Sequence, residues 1–284
     1  MNDKGKSTRV LITGSTGLLG TAISQSLKSQ GYEVRGLSRR RSPGNIYWNP
    51  ISGANSGEID LEELHSFNPQ IVISLAGESL VAPYWTNAKK QRLTSSRVHT
   101  TEFLSSALQG CDVELLIAAS GIGYYGYTGD ALVNEESKPE GEGFLKQLAA
   151  SWENASTNAA TTLGARLVIC RLGVVLSQHG GFLESINLPY KLGLGCIWGN
   201  GKQYLPWIEI DDVVRSIHHC INNQEINGAV NIVAPGHITQ EEFSKAYSAF
   251  HNRPCILRFP EKLVRLFLGD MGIDLFLTGQ RAEP

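Results

Sequence analysis

The feature that most constrains the fold lies near the start of the chain, where an apolar run, a glycine-rich turn and an amphipathic stretch follow one another. Residues 9–13 read R-V-L-I-T, and residues 13–20 read T-G-S-T-G-L-L-G. A short apolar run that is rich in β-branched residues is typical of a buried strand. Residues 18–30 carry apolar side chains at helical spacing, and a glycine follows them as a stop signal. The sequence therefore predicts a strand, a tight turn and a helix.

The same alternation continues along the chain. Further strands are predicted at residues 33–38, 70–76, 114–120, 165–172 and 229–234, and helices at about 87–108, 143–162 and 210–222. Near-continuous apolar strands separated by helices indicate a parallel sheet that is covered on both faces. We therefore predict the α/β class, with a doubly wound parallel sheet of the Rossmann type.

A second, smaller lobe is predicted from two segments in which the alternation stops. The first is rich in glycine and contains K-L-G-L-G-C-I-W-G-N-G-K, and the second follows Pro235. The predicted organisation is a Rossmann domain over residues 1–173, a small-lobe segment over 174–206, a return to the sheet over 207–235 and a small substrate lobe over 236–284. The lobe should lie over the carboxyl edge of the sheet, where ligands of such folds bind.

Composition argues against several function classes. A formal net charge of -2 gives no broad attraction for nucleic acid. The five cysteines form no C-x-x-C pair and the seven histidines form no H-E-x-x-H motif, so neither a metal site nor a disulfide framework is expected. The first apolar run, of about five residues, is too short for a signal peptide or a membrane span. We expect a cytoplasmic protein with a small-molecule substrate and no nucleic-acid or membrane partner.

The turn after the first predicted strand has the spacing of a dinucleotide-binding loop, G-x-x-G-x-x-G. The first glycine permits a tight turn, the second lets the backbone approach a pyrophosphate, and the third lets helix and strand pack closely. The amino end of the helix then faces the phosphates. A purely structural glycine turn is the alternative. The residues predicted to bind the cofactor here are Gly14, Ser15, Thr16, Gly17, Leu18, Leu19 and Gly20.

The end of the second predicted strand indicates which dinucleotide is bound. NAD-binding folds place an acidic residue about 20 positions after the glycines, where it holds the ribose 2′-hydroxyl. This chain has Ser38, Arg39, Arg40 and Arg41 instead. A guanidinium binds a 2′-phosphate through paired, charge-assisted hydrogen bonds, which favours NADP as the cofactor, with Ser38, Arg39 and Arg40 as its ligands. A solvated surface cluster of arginines is the alternative.

Several motifs resemble those of a known family. They are T-G-S-T-G-L-L-G from residue 13, L-A-G-E from residue 75, G-Y-Y-G from residue 123, K-L-G-L-G from residue 191, P-W-I-E-I-D-D from residue 206 and G-Q-R from residue 279. Together they resemble the atypical branch of the extended short-chain dehydrogenase/reductase superfamily, often labelled NAD-dependent epimerase or SulA-type cell-division inhibitor homologue. Because these motifs span nearly the whole chain, the resemblance implies the same Rossmann domain with a small C-terminal substrate lobe.

The resemblance also implies roles for particular residues. Ser74, Leu75, Ala76, Gly77 and Glu78 would pass beside the adenosine ribose and the pyrophosphate, and Arg97 would reach the cofactor from the predicted long helix. Members of the branch run roughly twenty residues past the G-Q-R motif, so the end of the small lobe is expected to be missing here. By analogy with the superfamily, a homodimer is also expected.

The usual catalytic pair of the superfamily is absent. A tyrosine and a lysine four residues later lie on one helical face and exchange a proton with the substrate, but none of the nine tyrosines here has that lysine. Ser120 falls where the superfamily's catalytic serine ends its strand, and Tyr124 or Tyr125 could replace the lost acid. The alternative is that both tyrosines are wall residues and that Ser120 caps a turn.

Two further residues are candidates for contact with the substrate. Trp207 could stack on a ring, and Arg281 could bind an anionic group, as the family's G-Q-R position suggests. The sequence thus leaves two functions open. The first is an NADP(H)-dependent oxidoreductase or epimerase-like enzyme that acts on a carbonyl compound or a nucleotide sugar. The second is a non-catalytic NADP-binding regulator of redox sensing or cell division.

Overall fold

The computed structural model describes residues 7–50, 57–82 and 84–284. Its strands, numbered in chain order, are β1 (Arg9–Thr13), β2 (Glu33–Ser38), β3 (Asn45–Asn49), β4 (Glu58–Ile59), β5 (Ile71–Ser74), β6 (Leu115–Gly121), β7 (Leu132–Val133), β8 (Arg166–Leu172), β9 (Val174–Leu176), β10 (Cys196–Trp198), β11 (Trp207–Glu209), β12 (Gly228–Ile232), β13 (Leu257–Phe259) and β14 (Arg281–Ala282). The helices are α1 (Leu18–Ser29), α2 (Leu61–Phe67), α3 (Asn87–Ser95), α4 (Val98–Ala107), α5 (Phe144–Leu163), α6 (Phe182–Lys191), α7 (Ile210–Asn222), α8 (Gln240–Phe250) and α9 (Glu261–Gly272), with a 3-10 turn at Ile122–Tyr125 and a π-helical turn at Ile273–Leu277.

Eight of these strands form the central sheet, in the order β12-β8-β6-β5-β1-β2-β3-β4. All neighbours are parallel except β3 and β4, which pair antiparallel. The strand order reverses beside β1, because the chain first adds β2 on one side and later adds β5 on the other. Such a reversal opens a crevice at the carboxyl ends of the strands. The predicted doubly wound α/β fold is confirmed.

The sheet is buried on both faces because its strands alternate side chains between two cores. Val10 and Ile12 of β1 point to a core that also contains residues of α1 and α7, whereas Leu11 points to a core with residues of α2, α4 and α5. All three side chains are fully buried. This explains why the strands read as continuous apolar runs in the sequence. Among the helices described, none is both long and apolar enough to cross a membrane.

The prediction of one long helix at residues 87–108 is wrong, because the helix breaks at Ser96 and Arg97. In a continuous helix the Leu93 carbonyl would accept the Arg97 amide. It accepts the Ser96 hydroxyl at 3.0 Å and the Arg97 guanidinium at 3.1 Å instead, while the Arg97 amide turns to Thr94. Side chains that compete for a backbone carbonyl in this way end helices. The break places the Arg97 side chain beside the crevice.

The segment predicted as irregular, residues 174–206, contains β9, α6 and β10. Outside the central sheet, β9 pairs with β11, β10 with β13 and β7 with β14, all parallel. Sequence analysis also missed β3, a full strand beside β2. The β9–β11 pair adjoins the core of the central sheet, because Val175 and Ile208 pack in the same apolar cluster as residues of α7.

The close packing of α1 on the turn after β1 makes a test of the fold. A Cβ on Gly20 would lie 2.7 Å from Ser15 Cα and closer still to the Gly14 oxygen, both of them backbone atoms. We predict that Gly20→Ala lowers the free energy of unfolding by about 1–3 kcal/mol, as overpacking does. Urea denaturation measures the change. Gly17→Ala is the control, because its Cβ would meet only the Gly14 oxygen at 3.3 Å; equal losses in the two variants would contradict the packing argument.

Candidate functional site

The turn after β1 leaves backbone amides of α1 available to a ligand. Gly14 adopts a φ of 67°, which favours glycine, and its carbonyl accepts the Gly17 amide at 3.0 Å. Gly17 is the N-cap of α1, and no described side chain caps this helix. The first-turn amides of an uncapped helix need a partner from water or a ligand, and the helix dipole favours an anion there.

Thr13 places a second backbone segment against this turn. Its hydroxyl, fully buried, accepts the amides of Leu75 and Ala76, each at 2.9 Å. A Cβ on Gly14 would lie 3.2 Å from the Ala76 nitrogen and from the Leu75 oxygen, so the two segments are in close contact. Leu75 and Ala76, two of the residues that the family resemblance placed beside a cofactor, therefore lie beside the glycine turn. Sequence analysis did not identify Thr13 as the residue that holds them there.

Two cavities meet at Gly14 along the carboxyl edge of the sheet. The arginine cavity has a volume of about 990 Å³ and the central cavity about 560 Å³. The arginine cavity is lined by Gly14, Thr16, Leu37, Ser38, Arg39, Arg40, Trp48, Asn49, Pro50, Ala76, Gly77, Glu78, Ser79, Ser96 and Thr100. The central cavity is lined by Gly14, Gly17, Leu18, Leu19, Gly20, Leu75, Leu80, Arg97, residues 119–123, Leu145, Leu148, Ala149, Trp152, residues 172–175, Gly181, Phe182 and Leu275.

The predicted cofactor residues divide between these cavities, except two. Ser74 is buried and lines neither cavity. Ser15 also lines neither cavity, and its buried hydroxyl faces Gly36 of β2 and has no hydrogen-bond partner. All the others contribute to one cavity or the other. Their roles stay predictions, but the structure brings them to one continuous crevice.

The arginine cavity is electrostatically suited to an anion. Arg39 and Arg40 are exposed at its edge, and the Arg40 amide donates to the Ser38 hydroxyl at 3.1 Å. The acidic lining residue, Glu78, is bound by Lys89 at 2.7 Å and by Arg92 at 3.4 Å. The hydrogen bond from Lys89, assisted by Arg92, holds the pKa of Glu78 below its usual range. The Glu78 charge is thus already compensated and does not oppose an anion beside the arginines.

Arg97 brings a buried cation to the central cavity. Its guanidinium donates to the carbonyl oxygens of Leu93 and Glu78, each at 3.1 Å, and lies over the Trp152 ring with Cζ 5.1 Å from the ring centroid. Burial lowers the pKa of Arg97 to about 10, which leaves it charged at neutral pH. None of its hydrogen-bond acceptors is a carboxylate. A buried cation that makes no hydrogen bond to a described carboxylate favours a nearby anion such as a pyrophosphate.

Ser120 and Tyr125 belong to a buried polar network that sequence analysis missed. Ser120 donates its hydroxyl proton to Glu153 at 2.7 Å. Arg171 donates to both carboxylate oxygens of Glu153, at 2.9 and 2.8 Å, and to the Tyr125 hydroxyl at 2.9 Å. The Tyr125 hydroxyl in turn donates to Asn231 at 2.8 Å. The signal in the sequence was one charged residue among mainly apolar neighbours in each of two elements. Arg171 follows an apolar run in β8, and Glu153 lies on the buried face of α5.

The network bears on the two proposed proton donors. Burial raises the pKa of Tyr125, although the hydrogen bond from Arg171 opposes the shift. Its hydroxyl already donates to one partner and accepts from another. The Tyr124 ring lies 3.6 Å from Arg171 Cζ, and neither tyrosine lines the central cavity. A catalytic role for either tyrosine stays a hypothesis, and this geometry favours the alternative that they are wall residues.

The candidate substrate residues lie outside the lining of the central cavity. Trp207, at the start of β11, donates its indole N–H to the Gly236 carbonyl at 3.2 Å. Arg281, on β14, lies with Cζ 5.5 Å from the centroid of the Tyr204 ring. Neither residue lines the central cavity or the smaller cavity beside it. The stacking and anion-binding roles predicted for them therefore gain no support from this geometry.

A smaller cavity, the lobe cavity, adjoins the central cavity. Its volume is about 120 Å³, and the residues it shares with the central cavity are Ile122, Gly123, Leu145, Val174 and Leu275. Asp274 lines it and accepts the Leu145 amide at 2.9 Å, so a carboxylate from the small lobe caps α5. Burial raises the pKa of Asp274, although the Leu145 and Phe144 amides oppose the shift.

The buried ion pair allows a quantitative prediction. Removing one partner leaves an uncompensated charge, which costs about 3–5 kcal/mol in a buried pair. We therefore predict this loss in the free energy of unfolding for Glu153→Gln, measured by urea denaturation. Glu63→Gln is the control, because the Arg35–Glu63 pair at 3.1 Å is half-exposed and its loss should cost less than about 1 kcal/mol. Similar losses in both variants would contradict the role assigned to the network.

Comparisons with known proteins agree with this geometry. Residues 10–233 match the model of the NAD dependent epimerase/dehydratase family. The epimerase family protein Mb2239 of Mycobacterium bovis is 39% identical over 278 residues, which cover 97% of this chain and 89% of that protein. The crystal structure of the human epimerase family protein SDR39U1 (isoform2) with NADPH superposes with a TM-score of 0.83 at 30% identity, over 98% of this chain and 91% of that one. The label of a cell-division inhibitor gains no support from these matches, and the chain belongs to the NAD dependent epimerase/dehydratase family.

Proposed function

We propose that this protein binds NADPH across the two cavities and acts as an NADP(H)-dependent oxidoreductase of the epimerase family. The observation that carries the proposal is the meeting of the arginine cavity and the central cavity at Gly14, beside the uncapped amino end of α1. A dinucleotide needs two nucleoside sites with a pyrophosphate site between them, and this crevice offers that order. The human relative described above was crystallised with NADPH, which supports the same assignment.

The residues present fit each part of this cofactor. Arg39 and Arg40 would bind the 2′-phosphate, because guanidinium groups bind phosphate oxygens in pairs. The α1 amides and the turn at Gly17 would hold the pyrophosphate. The apolar central cavity would enclose the nicotinamide, and Arg97 would add positive charge between the two ends. The carbonyl or nucleotide-sugar substrate would approach through the lobe cavity, which opens beside the central cavity.

A second function, a non-catalytic NADP-binding regulator, is favoured by a different observation. Ser120 and Tyr125 use their hydroxyl protons within the buried network. The α5 positions that face the central cavity are Leu145, Leu148, Ala149 and Trp152, where an enzyme of this superfamily would present a tyrosine and a lysine. NADPH oxidation separates the two functions: an enzyme oxidises bound NADPH with at least one carbonyl or nucleotide-sugar acceptor, and a regulator binds it with none.

The charge assignment in the arginine cavity makes a direct prediction. Arg39→Ala should weaken NADPH binding about 10-fold or more, in keeping with the loss of one charge-assisted contact of roughly 1.5–3 kcal/mol. NADH binding should change by less than about 3-fold, because NADH has no 2′-phosphate. Isothermal titration calorimetry with both cofactors provides the measurement.

Arg41→Ala is the matched control for this test. The Arg41 guanidinium lies over the Tyr47 ring, with Cζ 4.8 Å from its centroid, and 3.8 Å from the Asp60 carboxylate. It does not line the arginine cavity. Its loss should therefore leave the preference for NADPH unchanged. An equal effect of Arg39→Ala on NADPH and NADH would refute the assignment of Arg39 to the phosphate.

A further inference from the structure

The lining of the central cavity has almost no group that could give a proton to a substrate. Its polar side chains are Arg97, Ser120 and Trp152, and the remaining lining residues are glycine or apolar. Within the described ranges 7–50, 57–82 and 84–284, the lining includes no histidine, tyrosine, lysine, cysteine or carboxylic acid. The cavity-facing positions of α5, which are spaced by three or four residues, present only Leu145, Leu148, Ala149 and Trp152.

The three polar lining residues are poor donors. Ser120 already gives its proton to Glu153. Arg97 is a cation that donates to the carbonyl oxygens of Leu93 and Glu78, and at neutral pH it has no reason to release a proton to a substrate. The Trp152 indole nitrogen is buried and makes no hydrogen bond, and an indole N–H is a donor rather than an acid. Among the described residues that line the central cavity, none is therefore a ready source of a proton for a reaction there.

The lack of a proton donor in the cavity lining favours some carbonyl substrates over others. Reduction of an isolated ketone produces an alkoxide, whose basicity resembles that of hydroxide, and water has a pKa of about 15.7. Such a product needs a general acid as it forms. Reduction of a quinone produces a hydroquinone anion, a phenolate whose conjugate acid has a pKa near 10, as tyrosine has. The quinone product is thus roughly a millionfold weaker base, and it can leave before it is protonated.

The shape and polarity of the cavity agree with this choice. Its volume of about 560 Å³ is within the range of small-molecule sites. Leu18, Phe182, Leu148 and the Trp152 ring give it apolar walls, which suit a flat, conjugated ring better than a sugar with many hydroxyl groups. Hydroxyl groups of a sugar would lose their hydrogen bonds to water here and find few partners.

We propose that the substrate reduced in the central cavity is a quinone, and that the protein reduces it without an acid of its own. The proposal rests on the proposed NADPH-dependent function and specifies its substrate class. Bound NADPH would supply a hydride, two electrons and one proton, to a quinone oxygen; the products are NADP⁺ and the hydroquinone anion, which takes its second proton from water outside the cavity.

The experiment compares two probes with the same bicyclic skeleton, menadione as the quinone and 1-tetralone as the isolated ketone. The intact protein is mixed with NADPH that carries deuterium on one or the other face of nicotinamide C4. We expect menadione to be reduced about 100-fold or more faster than 1-tetralone, with a rate that changes less than about 2-fold between roughly pH 6 and 8. A primary isotope effect with only one of the two deuterated cofactors shows that the transfer occurs in the protein rather than in solution.

A binding measurement gives a readout that does not depend on turnover. Equilibrium dialysis with the NADP⁺-loaded protein should show menadione bound at one site, and bound menadione should quench the tryptophan emission. Trp152→Phe should remove a large part of that quenching, whereas Trp207→Phe, which changes a residue outside the cavity lining, should not. Equal quenching in the two variants would place the quinone elsewhere and overturn the proposal.

A designed variant tests the reason for the preference. Leu148→Tyr combined with Trp152→Lys places a phenol and an ammonium four residues apart on the face of α5 that lines the cavity. In protein that still binds NADPH, this pair should raise the rate with 1-tetralone relative to menadione by about 10-fold or more. An unchanged ratio would show that the missing acid does not set the preference.

The outcomes separate this inference from the function on which it rests. Reduction of 1-tetralone as fast as menadione, or reduction of neither probe while a nucleotide sugar is oxidised or reduced, overturns the quinone proposal and leaves the oxidoreductase intact. Tight NADPH binding with no turnover of any acceptor overturns both and favours the regulator. Failure to bind NADPH overturns the proposed function itself.

Discussion

Three backbone segments meet at Gly14, and the arrangement of the whole site depends on that contact. The Gly14 carbonyl lies against Gly20 of α1, and the Leu75–Ala76 segment lies against Gly14 from the other side, held by the Thr13 hydroxyl. A side chain at Gly14 would meet backbone atoms, and its positive φ already favours glycine. The amino end of α1 lies next to this close contact, and Gly14 is the lining residue that the two cavities share.

A second constraint is the buried Glu153–Arg171 pair, which joins α5 to β8 and binds the hydroxyl of Ser120, a lining residue of the central cavity. Two hydroxyl groups bind this buried pair, since Ser120 donates to Glu153 and Tyr125 accepts from Arg171, and Tyr125 in turn donates to Asn231. Both hydroxyl groups donate within this network, which favours structural roles for the serine and the tyrosine over catalytic ones. Among the described residues that line the central cavity, Arg97 is the charged one, Ser120 and Trp152 are the other polar ones, and the rest are glycine or apolar. Both the crevice at Gly14 and the Ser120–Glu153 hydrogen bond lie at the carboxyl edge of the central sheet.

Much of this fold could be predicted from the sequence, because the deciding interactions are local. The strands β1, β5, β6 and β8 are continuous apolar runs, α7 was predicted with the bounds that the structure shows, and the glycine spacing defines the turn. The break between α3 and α4 was not predicted, because the Ser96 and Arg97 side chains that bind the Leu93 carbonyl also bind the Glu78 backbone, a contact that only the fold reveals. The short strand β3 reads N-I-Y-W-N and is stabilised by its position beside β2 rather than by its composition.

The candidate site, like the fold, could be predicted from the sequence only in part. The glycines and the arginines could be recognised one at a time in the sequence, and the structure brings them to one crevice. The Ser120 network joins residues on four separate segments, and only the fold reveals that its hydroxyl is already in use. The most direct test of the central claim is calorimetric titration of the intact protein with NADPH and with NADH. The account predicts one NADPH bound per chain and markedly weaker binding of NADH; no binding of either dinucleotide would contradict it.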